Sequence, residues 1–183
     1  METRFRPVAH EEFDGALKVY LEVFEWLNAK GIRQWLHPLS RQTFAERQHR
    51  GELLAHFAGD LPVSIVTLAF EVNSDWPEKI AEGRRWWIKS LAVSRRYSGA
   101  GIGVRVMENC EALIQNAGAD EAFLDCVDAG FLPGYYASLG YEELGRKDIT
   151  YPSGNKFPMV LMRKKLNRGR NERSQTPGFT PHA

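Results

Sequence analysis

Gly99, Gly101 and Gly103 stand at alternate positions in Ser98-Gly99-Ala100-Gly101-Ile102-Gly103-Val104. An apolar stretch precedes this loop and a helix-forming stretch follows it. Glycine lets a backbone turn tightly and approach a ligand with no side chain in the way. A helix opening at Ile102 presents unpaired N–H groups and the positive end of its dipole to the same place. That is an anion site, and a pyrophosphate suits it. Dinucleotide loops are spaced Gly-x-Gly-x-x-Gly, and here the spacing is Gly-x-Gly-x-Gly. Triphosphate loops carry Gly-Lys-Ser/Thr, and here Val104 and Arg105 follow the last glycine. Both are disfavoured. Arg95, Arg96 and Arg105 offer further positive charge to a phosphate, or form a solvated basic turn. A glycine-rich turn with no ligand is the bland alternative.

The elements around the loop follow from periodicity. Trp86 to Val93 reads as a central strand, followed by a basic turn at Ser94-Arg95-Arg96-Tyr97. Ile102 to Ala117 reads as a helix whose buried face is Val106, Cys110, Leu113 and Ile114, with Gly118 as its stop. Upstream, Arg4 to Val8 is a short strand that Pro7 assigns to a sheet edge. His10 to Lys30 is a helix with Phe13, Leu17, Tyr20, Leu21, Phe24 and Leu27 on one face. A second helix starts near Ser40 or Thr43, and Thr43 with Glu46 has the capping-box spacing. Leu53 to Ala58 and Val63 to Glu71 form a hairpin over Gly59-Asp60-Leu61-Pro62. Asn73 to Arg84 is a connecting loop. Ala122 to Val127 is apolar on both faces, as a covered strand requires. A short helix over Gly130 to Leu139 is broken at its start by Pro133-Gly134. Tyr141 to Ile149 and Lys156 to Leu161 close the chain as a strand pair around Pro152 to Asn155.

Composition bounds the rest. The 183 residues are 43% hydrophobic and 26% charged, as expected of a soluble globular domain. A net charge of +1 gives no reason to propose nucleic acid as partner. No segment reads as a signal peptide or a membrane span, so the expected location is cytoplasmic. Cys110 and Cys126 do not make a disulfide framework and read as buried thiols. The domain is expected over residues 1–166. Residues 167–183 are polar and read as a disordered tail.

Three stretches together resemble the GNAT acetyltransferases, which use acetyl-CoA. Leu91-Ala92-Val93 stands directly before the basic turn. The glycine loop resembles the family's Gln/Arg-x-x-Gly-x-Gly/Ala motif, with Gly101 and Gly103 in its glycine slots and Ser98 where Gln or Arg is usual. Tyr135-Tyr136-Ala137-Ser138-Leu139-Gly140-Tyr141 matches the family's Tyr-x-x-x-Gly-Phe/Tyr ending. The resemblance implies an α/β fold of mixed class. Its mostly antiparallel sheet would have about 6–7 strands, helices on both faces and a splayed central parallel pair.

The resemblance also implies roles. Ser98, Gly99, Ala100, Gly101, Ile102, Gly103 and Val104 would cradle the pyrophosphate of acetyl-CoA. Leu91, Ala92 and Val93 would pair with its pantetheine arm by backbone hydrogen bonds. The N–H of Leu91 or Ala92 would polarise the thioester oxygen. Tyr136 would protonate the leaving thiolate as general acid, with Tyr135 as the neighbour to compare. The base that frees the amine stays open among Glu71, Asp125, Asp128 and a water chain, with His37 and His56 as weaker candidates. Trp26, Trp35, Phe70, Trp76 and Trp87 are available as the wall of an acceptor pocket or as ordinary core. No metal is implied. The expected partners are acetyl-CoA and an amine acceptor, with neither nucleic acid nor membrane, and the chain is a monomer or homodimer. The expected activity is N-acetyl transfer to a primary amine, a small molecule before a peptide or protein amine. A non-catalytic CoA-binding module on the same fold is the competing class.

Overall fold

The computed structural model describes residues 3–35, 38–73, 75–150 and 156–166. The elements are β1 (Arg4–Pro7), α1 (Phe13–Ala29), α2 (Arg41–His49), β2 (Leu53–Ala58), β3 (Leu61–Pro62), β4 (Ser64–Glu71) and β5 (Arg85–Val93). There follow α3 (Ile102–Asn116), β6 (Glu121–Val127), α4 (Leu132–Ser138), β7 (Glu142–Thr150) and β8 (Lys156–Lys165). The sheet runs β1-β2-β4-β5-β6-β8-β7, with the two-residue β3 paired to β2. Every pairing is antiparallel except β5 with β6. The expected mixed sheet is therefore present, and β1 with its Pro7 lies at the edge.

Strand alternation divides the core. On one face, Trp87 and Phe123 join Tyr20, Val23, Leu27 and Phe44 from α1 and α2. On the other, Trp86, Ile88 and Leu124 meet Ile102, Val106 and Met107 of α3. Cys110 and Cys126 are buried free thiols on this second face, and burial raises the pKa of both.

The sheet is irregular where it matters. Ile65 pairs with Ala92 and Thr67 with Lys89, so one residue of β4 stands opposite two of β5, Ser90 and Leu91. This is a β-bulge, which bends and twists the strand that carries it. Ser90 has φ +54°, a left-handed conformation that costs an L-residue about 1–2 kcal/mol. On its other edge β5 matches β6 at one register position, Trp87 opposite Phe123. The parallel strands therefore part beyond Trp87, and the last third of β5 runs beside open space.

Two local expectations change. The start of α2 is capped by Ser40, whose Oγ accepts the N–H of Thr43 at 3.0 Å. The Thr43–Glu46 box does not form, and Glu46 instead accepts from Gln42 Nε2 at 3.0 Å. Pro133 does not break α4. It lies in the first turn, where a missing N–H removes no helical bond. The loop before β5 buries Trp76 completely, with Lys79 and Ile80 N–H groups closing a turn on its carbonyl. The turn at Pro152 to Asn155 and the tail lie outside the described residues.

Ser40→Ala is expected to cost about 1 kcal/mol in urea unfolding, and Thr43→Ala less than half of that. The reverse order would move the helix start back to Thr43.

Candidate active site

Two cavities meet in the gap between β5 and β6. One, of about 380 Å³, runs from the end of β5 past the glycine loop to the start of α3, with α1 and α4 as its other walls. The other, of about 250 Å³, lies under α2 and is lined by residues that include Arg47, Lys89 and Asp125. Leu27, Leu91, Leu132 and Tyr136 line both. The junction therefore brings together a strand backbone and a phenol.

The loop that closes the larger cavity is built by local bonds. A single 3₁₀ turn over Arg95–Tyr97 follows β5. Ser98 N–H donates to Arg95 O and Ala100 N–H to Tyr97 O, both at 3.2 Å. Gly99 and Gly101 have φ of +78° and +72°, which glycine adopts without steric cost. Gly101 is the N-cap of α3 and brings no capping side chain. The first N–H groups of a 15-residue helix are left for another acceptor. Leu91, Ala92, Val93, Ser98, Gly99, Gly101, Ile102, Gly103 and Val104 all line this cavity. Ala100 does not; it is exposed and its N–H is spent within the turn.

Distant residues hold the loop in place. Glu22 of α1 accepts the Arg95 N–H at 2.7 Å. The Arg95 guanidinium lies 3.9 Å over the Trp26 ring, and Trp26 faces Phe131 at 6.1 Å. The Glu22–Arg95 bond joins residues 73 positions apart, and Phe131 lies still further along the chain from Trp26, so no local motif announces Glu22 or Phe131. Arg105 extends back toward Gly101, with Nη1 3.6 Å from where a Cβ there would stand.

The two tyrosines separate by position. Tyr135 lines the larger cavity alone, and its hydroxyl sits 2.6 Å from where a Gly103 Cβ would be. Tyr136 lines both cavities and stacks edgewise on Tyr135 and Tyr141. Burial raises its pKa, and Cys126, Tyr135 and Asp125 add to the shift. Its hydroxyl therefore remains protonated at neutral pH.

The candidate bases also separate. Asp125 lines the smaller cavity and accepts from Trp76 Nε1 at 3.4 Å. Burial raises its pKa against the opposing pull of Lys89 and that bond. Glu71 bridges Arg47, at 2.7 Å, and Lys89. Burial works against its ionisation, but those two cations outweigh it and hold its pKa low. Asp128 is bound to Arg146 at 2.6 Å, and neither residue lines either of these two cavities. His56 lies on β2 beside Asn109 of α3, away from the junction, with its pKa lowered by burial. His37 lies outside the described residues. Of the aromatics, Trp26 and Trp35 line cavities, Trp76 backs Asp125, Trp87 is core, and Phe70 stacks on Trp86.

Residues 18–141 match the family described as Acetyltransferase (GNAT) family. YesJ of Bacillus subtilis (strain 168), an uncharacterized N-acetyltransferase, is 27% identical over 153 residues, covering 79% of this chain and 84% of its own length. A GNAT-family acetyltransferase of Listeria monocytogenes 4b F2365 shares the fold with a TM-score of 0.73 at 21% identity, over 91% of this chain and 96% of its own. PaiA N-acetyltransferase of Thermoplasma acidophilum, solved in complex with coenzyme A, has a TM-score of 0.63 at 15% identity, over 91% of this chain and all (100%) of its own.

Gly103→Ala would drive a methyl group into the Tyr135 hydroxyl, and is expected to lower stability by about 1 kcal/mol. In a Tyr135→Phe background the nearest atom is the ring carbon at 3.6 Å, an ordinary contact. There the same change is expected to be neutral or stabilising, because alanine favours the helix by about 0.5–1 kcal/mol. A double-mutant cycle by thermal unfolding measures the difference.

Proposed function

The chain belongs to the GNAT acetyltransferase family, and on that premise we propose that it transfers an acetyl group from acetyl-CoA to the primary amine of a small molecule. The junction of the two cavities at Leu91 and Tyr136 carries the reading. Bound acetyl-CoA would bring a thioester carbonyl to that point. The glycines, the free helix start and Arg105 suit its pyrophosphate. The cavity along Leu91 to Val93 suits an extended arm. The smaller cavity, at about 250 Å³, suits a small acceptor better than a length of peptide.

Each proton in the transfer has a residue to handle it. An ammonium acceptor must lose two protons and the departing thiolate must gain one. Asp125 lines the acceptor cavity, and its raised pKa makes it a better base than an ordinary carboxylate. Tyr136 holds its proton at the junction and gives it to the thiolate. The N–H of Leu91, a bulge residue, or of Ala92 beside it donates to the carbonyl oxygen as charge develops there. One of the two amine protons returns to Tyr136, and the other passes from Asp125 to water. Glu71 is a poor base, because deprotonating a substrate would require it to leave two cations. A module that only binds CoA has no use for a buried proton donor and a high-pKa carboxylate across one junction.

Tyr136→Phe is expected to lower kcat about 100-fold and leave acetyl-CoA affinity within about twofold. Equal losses in both would overturn the acid role. Asp125→Asn separates activity from stability. The folded pKa of Asp125 lies above its unfolded value, so the fold binds that proton more tightly. The stabilisation is full below the unfolded pKa and is lost as pH rises through the folded one. Once ionised, the carboxylate therefore costs stability. Asp125→Asn is expected to raise Tm most at the high end of the pH range, where that cost is full, while abolishing the acid limb of kcat/KM. A variant that loses stability and keeps the acid limb would remove Asp125 from the mechanism.

A further inference from the structure

The acceptor cavity contains cations that look ready to bind a carboxylate, yet each already has one. Among the described residues, the charged groups lining it are Arg47, Lys89, Asp75 and Asp125. Arg47 Nη1 donates to Glu71 at 2.7 Å and to Glu52 at 2.9 Å. Lys89 donates to the other oxygen of Glu71. Glu71 does not itself line the cavity and so sits behind both cations. Counting Arg50, which shares Glu52, three cations face four carboxylates: Glu52, Glu71, Asp75 and Asp125. The apolar wall is formed by Trp35, Leu39, Phe44, Ile149 and Met159.

Resting on the transferase reading above, we propose that the acceptor is a small apolar primary amine that carries no carboxylate, and that Glu71 sets this preference by occupying Arg47 and Lys89. An ammonium group gains from Asp125, which burial has left poorly solvated, and from Asp75. An aromatic or branched aliphatic body fits the apolar wall. An amino acid of the same skeleton would add a carboxylate to a site where every cation is shared. Its charge would meet Glu71 through Arg47 and Lys89, and Asp125 on the same wall. Like charge set against like charge excludes a ligand more sharply than a missing contact does. Glu71 is thus a specificity-determining residue that works through its two partners.

The test uses matched acceptors that differ only by a carboxylate: 2-phenylethylamine with phenylalanine, tyramine with tyrosine, and 3-methylbutylamine with leucine. With the intact protein and acetyl-CoA, kcat/KM for the amine of at least one pair is expected to exceed that of its amino acid by about 100-fold. Glu71→Gln keeps an oxygen for Arg47 or Lys89 and removes the charge. It is expected to narrow that ratio at least about tenfold, mainly by lowering KM for the amino acid. Unchanged acetyl-CoA affinity, measured by calorimetry, reports that the variant is folded. Wild-type protein that prefers the amino acids, or a Glu71→Gln variant with acetyl-CoA affinity intact and an unmoved ratio, would overturn the proposal alone. Acetyl-CoA bound with none of the six compounds acetylated would overturn the transferase reading and this proposal with it.

Discussion

Parallel strands in the middle of a sheet normally satisfy each other's backbone groups along their whole length. Here β5 and β6 are matched at Trp87 and Phe123, and the bulge at Ser90–Leu91 turns β5 away. Buried N–H and C=O groups seek partners, so a strand that parts from its neighbour asks for something to replace it. The gap left by that parting holds both cavities. The rest of the fold keeps it open. The α1 and α2 helices cover one face of the sheet and α3 the other, and antiparallel pairing with β4 and β8 anchors the diverging strands on their outer edges. The left-handed Ser90 is a local cost that the surrounding core supports.

The gap has two chemically different ends. At one, the loop and the start of α3 offer N–H groups and positive potential. At the other, ion pairs run from Glu52 through Arg47 and Glu71 to Lys89, with Asp125 nearby on β6. Leu91 and Tyr136 stand between. A thioester held from the first end and an amine held from the second would meet at that boundary. Helix α1 serves both halves: Glu22 and Trp26 brace the turn before the loop, while Leu27 reaches the junction. A change in how α1 packs would therefore be felt by both ligands.

Features carried by short stretches were legible in the sequence. The alternate glycines, the apolar β5 and the Tyr136 stretch each depend on neighbours within a few positions. Pro7 marked the sheet edge because its missing N–H has a direct consequence for pairing. Legibility failed where partners are distant. Glu71 reads as a base by its place at a strand end, but Arg47 and Lys89 make it a counter-ion. Nothing near Glu22 in sequence points to Arg95, and the burial of Trp76 depends on where its loop folds back. Even locally, the pattern at Thr43 and Glu46 lost to Ser40, because either hydroxyl could open the helix and it is Ser40, with an extended backbone, whose Oγ accepts the Thr43 N–H. Ala100 sits within the loop pattern yet faces outward, since its N–H closes the turn.

The most direct test of this account is hydrogen exchange, followed amide by amide, with and without saturating acetyl-CoA. The parted strand and the loop are expected to hold the ligand through backbone N–H groups. Exchange should slow at Leu91 to Val93 and across Gly101 to Arg105, with little change in β1 or β7. Acetyl-CoA that binds while those amides exchange as before would contradict the account, because the ligand would then be held somewhere other than the gap between β5 and β6.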